Sequence, residues 1–212
     1  MRRRVMVLLV GAVLASLTLT TVGGTVAEAA KFKTVTKTFR TTSDVNIPPN
    51  PTAPEDAFTL GVPYPSKIAV DGLKRGKIKD VNVKLNTLTH SKWDDVDLLL
   101  VGPTGRTAII MSDAGGQPTS GQSASPTIDD EAPIAFPNEG QIVTTSYKPS
   151  NYEVGTDDNF PGVAFNNNRL LSTFDGTNPN GRWRLFVSDD DARSWVGNLF
   201  RWKVQIKAKV RR

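Results

Sequence analysis

The chain has no cysteine and a single histidine, His90. Without cysteine there is no disulfide staple, no thiolate nucleophile and no thiolate-bound metal. One histidine alone does not supply the nitrogen and sulfur ligands of a zinc site. It is also the sole candidate base for a Ser-His-Asp hydrolase, and no Gly-x-Ser-x-Gly elbow accompanies it. Beyond Ala30 no segment sustains a 3.6-residue apolar period, so long amphipathic helices are not expected. Nor do aromatic and basic residues interleave as they do on an RNA-binding sheet.

What is present begins with a basic Met1–Arg2–Arg3–Arg4, an apolar run from Val5 to Val22, and Ala27–Glu28–Ala29. Together these read as a secretory signal peptide over residues 1–29, cut after Ala29. An uncleaved membrane anchor is the alternative, because the apolar run approaches spanning length. Arg3–Arg4 also permits twin-arginine export, although the polar flank and Phe-Leu pair of that signal are missing. Cleavage removes three arginines and one glutamate, so the formal net charge falls from +5 to +3. That is too mild to point to nucleic acid. About 180 residues then remain, enough for one domain that buries roughly 70% of its unfolded surface. The expected location is extracellular, with no membrane contact after cleavage.

The remaining chain reads as strands and turns. Lys31 to Thr42 is Thr-rich and β-prone, an edge strand. Asp44 to Glu55 carries Pro48, Pro49, Pro51 and Pro54, which predicts an extended linker or outer wrapping segment. Residues 30–56 are therefore taken as an N-terminal strand with a proline-rich linker, and 57–210 as the domain proper. Within it Val81, Val83 and Leu85 alternate with polar residues, giving one buried and one wet face. Leu98–Val101 is apolar on both faces and should be central. Thr107–Met111 follows a Gly-Pro-Thr-Gly turn, which suggests a hairpin. Gly115–Ser125 and Lys148–Leu170 read as long loops. From Trp202 to Val210 apolar residues alternate strictly with Lys203, Gln205, Lys207 and Lys209. That lysine row discourages pairing with another chain. Many short strands with turn punctuation predict an all-β, antiparallel β-sandwich.

Two segments pair an aspartate cluster with an apolar strand: Asp94 to Gly105, and Asn178 to Ile206. Around them lie Pro63–Ser66, Thr89–His90, Asp95–Val96–Asp97–Leu98, Gly102–Gly105 and Met111–Gly116. Asp129–Asp130–Glu131, Tyr147–Lys148–Pro149 and Asn178–Gly181 follow, with Trp183, Leu185, Asp189, Gly197 and Trp202 after them. In this order the set resembles the P domain (Homo B domain) that follows the catalytic domain of kexin and proprotein convertases, its bacterial forms above all. The resemblance covers roughly Ile47 to Lys207. It implies a jelly-roll-like, galactose-binding-like sandwich. It also implies an accessory role beside a serine endopeptidase, with no catalytic triad of the module's own.

Calcium is the cofactor the acidic loops suggest, since it takes six to eight oxygens from carboxylates and carbonyls. Asp95, Asp97, Asp130 and Asp189 are the candidate ligands, although none lies in EF-hand spacing. The competing reading is that loop aspartates accept backbone N–H bonds. Trp93 and Trp195 sit in loops and are candidates for a platform that stacks on a sugar or peptide; the competing reading is that they cover the ends of the sandwich, partly buried. His90, Trp183 and Trp202 are assigned structural roles. The partner expected first is an extracellular protein or protease. A carbohydrate or cell-wall polysaccharide is the alternative.

Overall fold

A computed structural model describes residues 31–52, 54, 57–116, 122–152, 158–191 and 196–212. Ala29, the signal segment before it and Trp195 lie outside the described residues. Along the chain run β1 (Phe32–Arg40), β2 (Val45–Ile47), β3 (Thr59–Leu60), β4 (Ser66–Val70) and β5 (Lys77–His90). Then follow β6 (Val96–Val101), β7 (Thr107–Ser112), β8 (Gln122–Ala124), β9 (Thr127–Ile128), β10 (Ser146–Tyr147) and β11 (Ser150–Asn151). The long strands β12 (Gly181–Asp189) and β13 (Gly197–Arg211) close the fold. Single 3-10 turns occupy Trp93–Asp95 and Leu171–Phe174.

Two sheets form the sandwich. The first runs β1-β13-β5-β9-β10, with β2 added on β13 and β8 on β5. The second runs β11-β7-β6-β12-β3, with β4 also on β12. The hairpin of β6 and β7 is present, and β6 is central as its doubly apolar sequence requires. The sheets are mixed rather than purely antiparallel, because β9 pairs β10 and β7 pairs β11 in parallel. Those two-residue strands leave no local pattern for sequence reading to find.

The alternating segment at the C-terminus lies between β1 and β5, so its lysine row faces outward from the middle of a sheet and not from an edge. Trp202, Val204, Ile206 and Ala208 are its inward set. Opposite them β5 buries Ile78, Val81, Val83, Leu85 and Leu88. The three-residue steps in that series have local causes. A register shift sits between Lys207 and Ala208, and Thr87 takes a left-handed φ of 53°. The shift makes Lys79 an extra residue and returns Ile78 to the core, whereas the pairing with β13 runs unshifted across Thr87, from Leu85–Trp202 to Leu88–Leu199.

The expected proline-rich linker is partly a strand. Val45 and Ile47 are fully buried in β2, which pairs with Gly197–Leu199. The prolines begin only at Pro48, so the three residues before it keep the N–H groups a ladder needs. The Lys148–Leu170 stretch is also more than a surface loop. Phe160, Val163 and Phe165 pack with Leu99, Val101, Ile109 and Phe186 in a second apolar cluster on the outer face of the second sheet.

Candidate functional site

Strand register gathers acidic side chains at one end of the second sheet. Antiparallel pairing sets Asp97 opposite Ser188, and Val96 opposite Asp189. Leu98 lies opposite Met111, which brings Ser112 and Asp113 beside Asp97. Parallel pairing then sets Asn151 opposite Ser112. Four neighbouring strands thus end in one row: Asn151, Ser112–Asp113, Asp97 and Ser188–Asp190.

Alternation divides this row between the two faces of the sheet. Asp189 shares the parity of Leu185 and Val187, which lie in the inner core. It is fully buried, and its Oδ2 lies 3.3 Å from Nε2 of His90, the last residue of β5. His90 Nδ1 contacts the backbone of Lys92. Lys92 Nζ in turn reaches Asp95 Oδ1 at 2.5 Å and Asp191 Oδ2 at 3.6 Å. His90, Lys92, Asp95, Asp189 and Asp191 therefore tie the ends of β5, β6 and β12 together.

Asp97 has the opposite parity, that of Leu99 and Val101, and faces the outer cluster. Its carboxyl is 1% exposed, and neither oxygen makes a hydrogen bond of normal geometry. Ser112 Oγ lies 2.7 Å from both Asp113 Oδ2 and Asp158 Oδ1. Asn151 Nδ2 donates to Asp158 Oδ2 at 2.8 Å. One oxygen each from Asp97, Asp113 and Asp158 lies within 4.8 Å of the others.

Burial pushes the Asp97 carboxyl well above the usual carboxylate range. Asp190, Asp113 and Asp158 add repulsion, and the Ser112 hydroxyl partly offsets it. Burial also raises Asp95 to about 7, against the pull of Lys92. It raises Asp190 to about 8, helped by Asp95, Asp113 and Asp189. These acids hold their protons in the folded chain at a pH where unfolded carboxyls, which ionise near ~4, have lost them. Folding then takes up protons, so stability falls as pH rises from about 4 through 7–8. Thermal melts in chelator at pH 5 and pH 8 should give the lower midpoint at pH 8. A flat or rising profile over that interval contradicts the assignment.

The sequence-derived candidates separate as follows. Asp95 and Asp189 belong to the inner group with Lys92 and His90. Asp97 belongs to the outer group, whose other members, Asp113 and Asp158, were not among the candidates. Asp130 joins neither. Its two oxygens accept the N–H groups of Leu171 and Ser172 at 2.9 and 2.8 Å, which holds the start of the second 3-10 turn. That is the backbone-bonding role expected of many loop aspartates. Trp93 does not form a stacking platform. It is fully buried, with its Cβ against Gly115, because the 3-10 turn directs it into the core. Trp183 and Trp202 are fully buried as well, and their indole N–H groups donate to the Pro179 carbonyl and Ser66 Oγ, each at 3.0 Å.

Exposed apolar side chains border the same end. Val62 and Val196 are 59% and 55% exposed, and Phe58 is exposed as well. Backbone pairing sets them along one edge: Val62 bridges Asn46, Val196 precedes the Gly197–Ile47 pair, and Phe58 precedes the Thr59–Asp189 pair.

Comparison with known proteins gives one family. The model of the proprotein convertase P-domain matches residues 78–206, from β5 into β13. No curated protein matches the chain. Among solved structures, the crystal structure of a serine protease of Aeromonas sobria is similar, with a TM-score of 0.40 and 14% identity. The match covers 83% of this chain and 27% of that one, so the chain spans about a quarter of that protein's length.

Proposed function

The chain belongs to the proprotein convertase P-domain family, and from that premise we propose that it is an exported, non-catalytic accessory module that docks on a subtilisin-like protease. The observation that carries the reading is the family match across the strands that build the sandwich. His90 supports the non-catalytic part. A triad histidine turns one ring nitrogen to a serine hydroxyl and the other to a carboxylate. His90 is 1% exposed; its Nε2 faces Asp189 and its Nδ1 contacts Lys92 backbone. No face of the ring is presented to a substrate.

The edge carrying Phe58, Val62 and Val196 is the docking surface we assign. Large apolar side chains beside a charged rim are the usual anatomy of a protein interface. The purified chain, mixed with a subtilisin-type catalytic domain freed of any P domain, should bind it and raise its melting midpoint. Val62→Asp with Val196→Asp should weaken binding about tenfold or more, because desolvated anchor residues carry most interface energy. The variant's own melting midpoint should stay close to that of the parent. Absence of binding at tens of micromolar, together with an unchanged protease midpoint, overturns the reading. Hydrolysis of peptides by the purified chain alone would also overturn it.

A further inference from the structure

We propose that Asp97, Asp113 and Asp158 form a calcium site on the outer face of the second sheet, closed by the strand ends of β6, β7 and β11. The proposal does not depend on docking to a protease.

Geometry comes first. Oxygens bound to one calcium ion at 2.3–2.6 Å lie no more than ~5 Å apart across the ion. The three carboxylate oxygens here all lie within 4.8 Å of one another, so a common ion needs no rearrangement of the strands. The donor set is oxygen alone. That suits a hard cation and excludes the nitrogen and sulfur chemistry of zinc.

The second observation is Asp97 itself. A buried polar group normally has a hydrogen-bond partner, and a buried carboxylate without one is costly. Both Asp97 oxygens are buried without a hydrogen bond of normal geometry, although Ser112 lies close by. The hydroxyl of Ser112 has one proton, and it sits at 2.7 Å from Asp113 and from Asp158. It can serve only one of them at a time. A divalent ion would supply what the hydroxyl cannot, with all three carboxylates ionised. Bound calcium would then be the largest local charge and reverse the repulsion among them.

The third observation is the support around the ligands. Asn151 holds Asp158 through Nδ2 at 2.8 Å, and Ser112 braces Asp113 and Asp158. Such outer partners orient ligands in metal sites. Asn151 Oδ1 is a further buried oxygen without a hydrogen-bond partner, next to the ligand that its amide positions.

The test uses the purified chain, stripped with EDTA and returned to metal-free buffer near neutral pH. Titration with calcium chloride alone should give one binding event. The melting midpoint should rise by about 5–10 °C once free calcium is ~100-fold above its dissociation constant. Magnesium chloride at equal concentration should give a smaller rise, since magnesium sheds its water reluctantly. Asp158→Asn, at a half-buried position, should fold with a metal-free midpoint near that of the parent and lose calcium affinity at least tenfold. Asp97→Asn should abolish the calcium response and leave the metal-free midpoint equal or higher, because it replaces a buried carboxyl that takes up a proton on folding with a neutral amide. A purely structural Asp97 would give a lower midpoint. The proposal is overturned if calcium produces neither heat nor a shift in the unsubstituted chain. An equal response to magnesium, or a full response in both variants, overturns it as well.

Discussion

Trp183→Ala should lower folding stability by about 3–5 kcal/mol, the range for removing a large buried aromatic. For a domain of this size that is a fall of roughly 10 °C in melting midpoint. Trp183 sits on β12 opposite Ile68 and is fully buried. Its ring meets Phe174 edge-on at 4.9 Å, and its N–H donates to the Pro179 carbonyl at 3.0 Å. Gly102 lies beneath the pair. A Cβ there would meet the Phe174 ring at 2.9 Å, so the backbone already presses against the aromatic cluster. Little collapse into the vacated space is open to such a site, and the cavity term should be near its upper range. Replacement by Phe should recover most of the packing and leave the Pro179 carbonyl without its donor. Its cost should fall between those of the parent and the alanine variant. An alanine variant that melts within a degree or two of the parent would contradict the assignment of Trp183 to the core.

His90→Leu should cost a similar amount, about 3–5 kcal/mol, for a different reason. His90 and Asp189 face each other across the two sheets at 3.3 Å, both with fully buried side chains. Removing the ring leaves the Asp189 oxygen in the core with nothing opposite it. Removing one partner of a buried polar pair strands the other, whereas replacing both with apolar groups is often near neutral. His90→Leu combined with Asp189→Leu should therefore be more stable than His90→Leu alone. A double-mutant cycle in urea measures the coupling directly. Equal and additive losses would show that the two side chains act independently. Neither variant removes a peptidase activity under the reading of this P domain as an accessory module. A fall in stability with no change in protease docking is the expected separation.

Much of the strand layout was readable in the residues themselves. The period-2 run from Trp202 to Val210 names its own inward face, and β13 buries those side chains. Leu98–Val101 is apolar on both faces, and β6 lies in the middle of its sheet with a cluster on either side. The ordered turn and aspartate motifs carried the family, whose model spans residues 78–206. These features are local. A strand has two faces, and its own sequence states which one is wet.

Pairing between distant segments decided the rest. Asp97 and Asp158 lie 61 positions apart in sequence, and only the row β11-β7-β6 brings their carboxylates to one point. Nothing in the spacing of Asp158 distinguishes it from other loop acids. Asp130 looked equivalent to Asp97 as a loop aspartate beside an apolar strand, yet it holds the backbone of Leu171 and Ser172. Trp93 stands in a loop among polar neighbours, and a single 3-10 turn directs it inward. Residue type and alternation set which side chains are buried, because solvation acts on each residue where it stands. Which buried acids face one another is set by strand register, because that is a property of two segments and is written in neither alone.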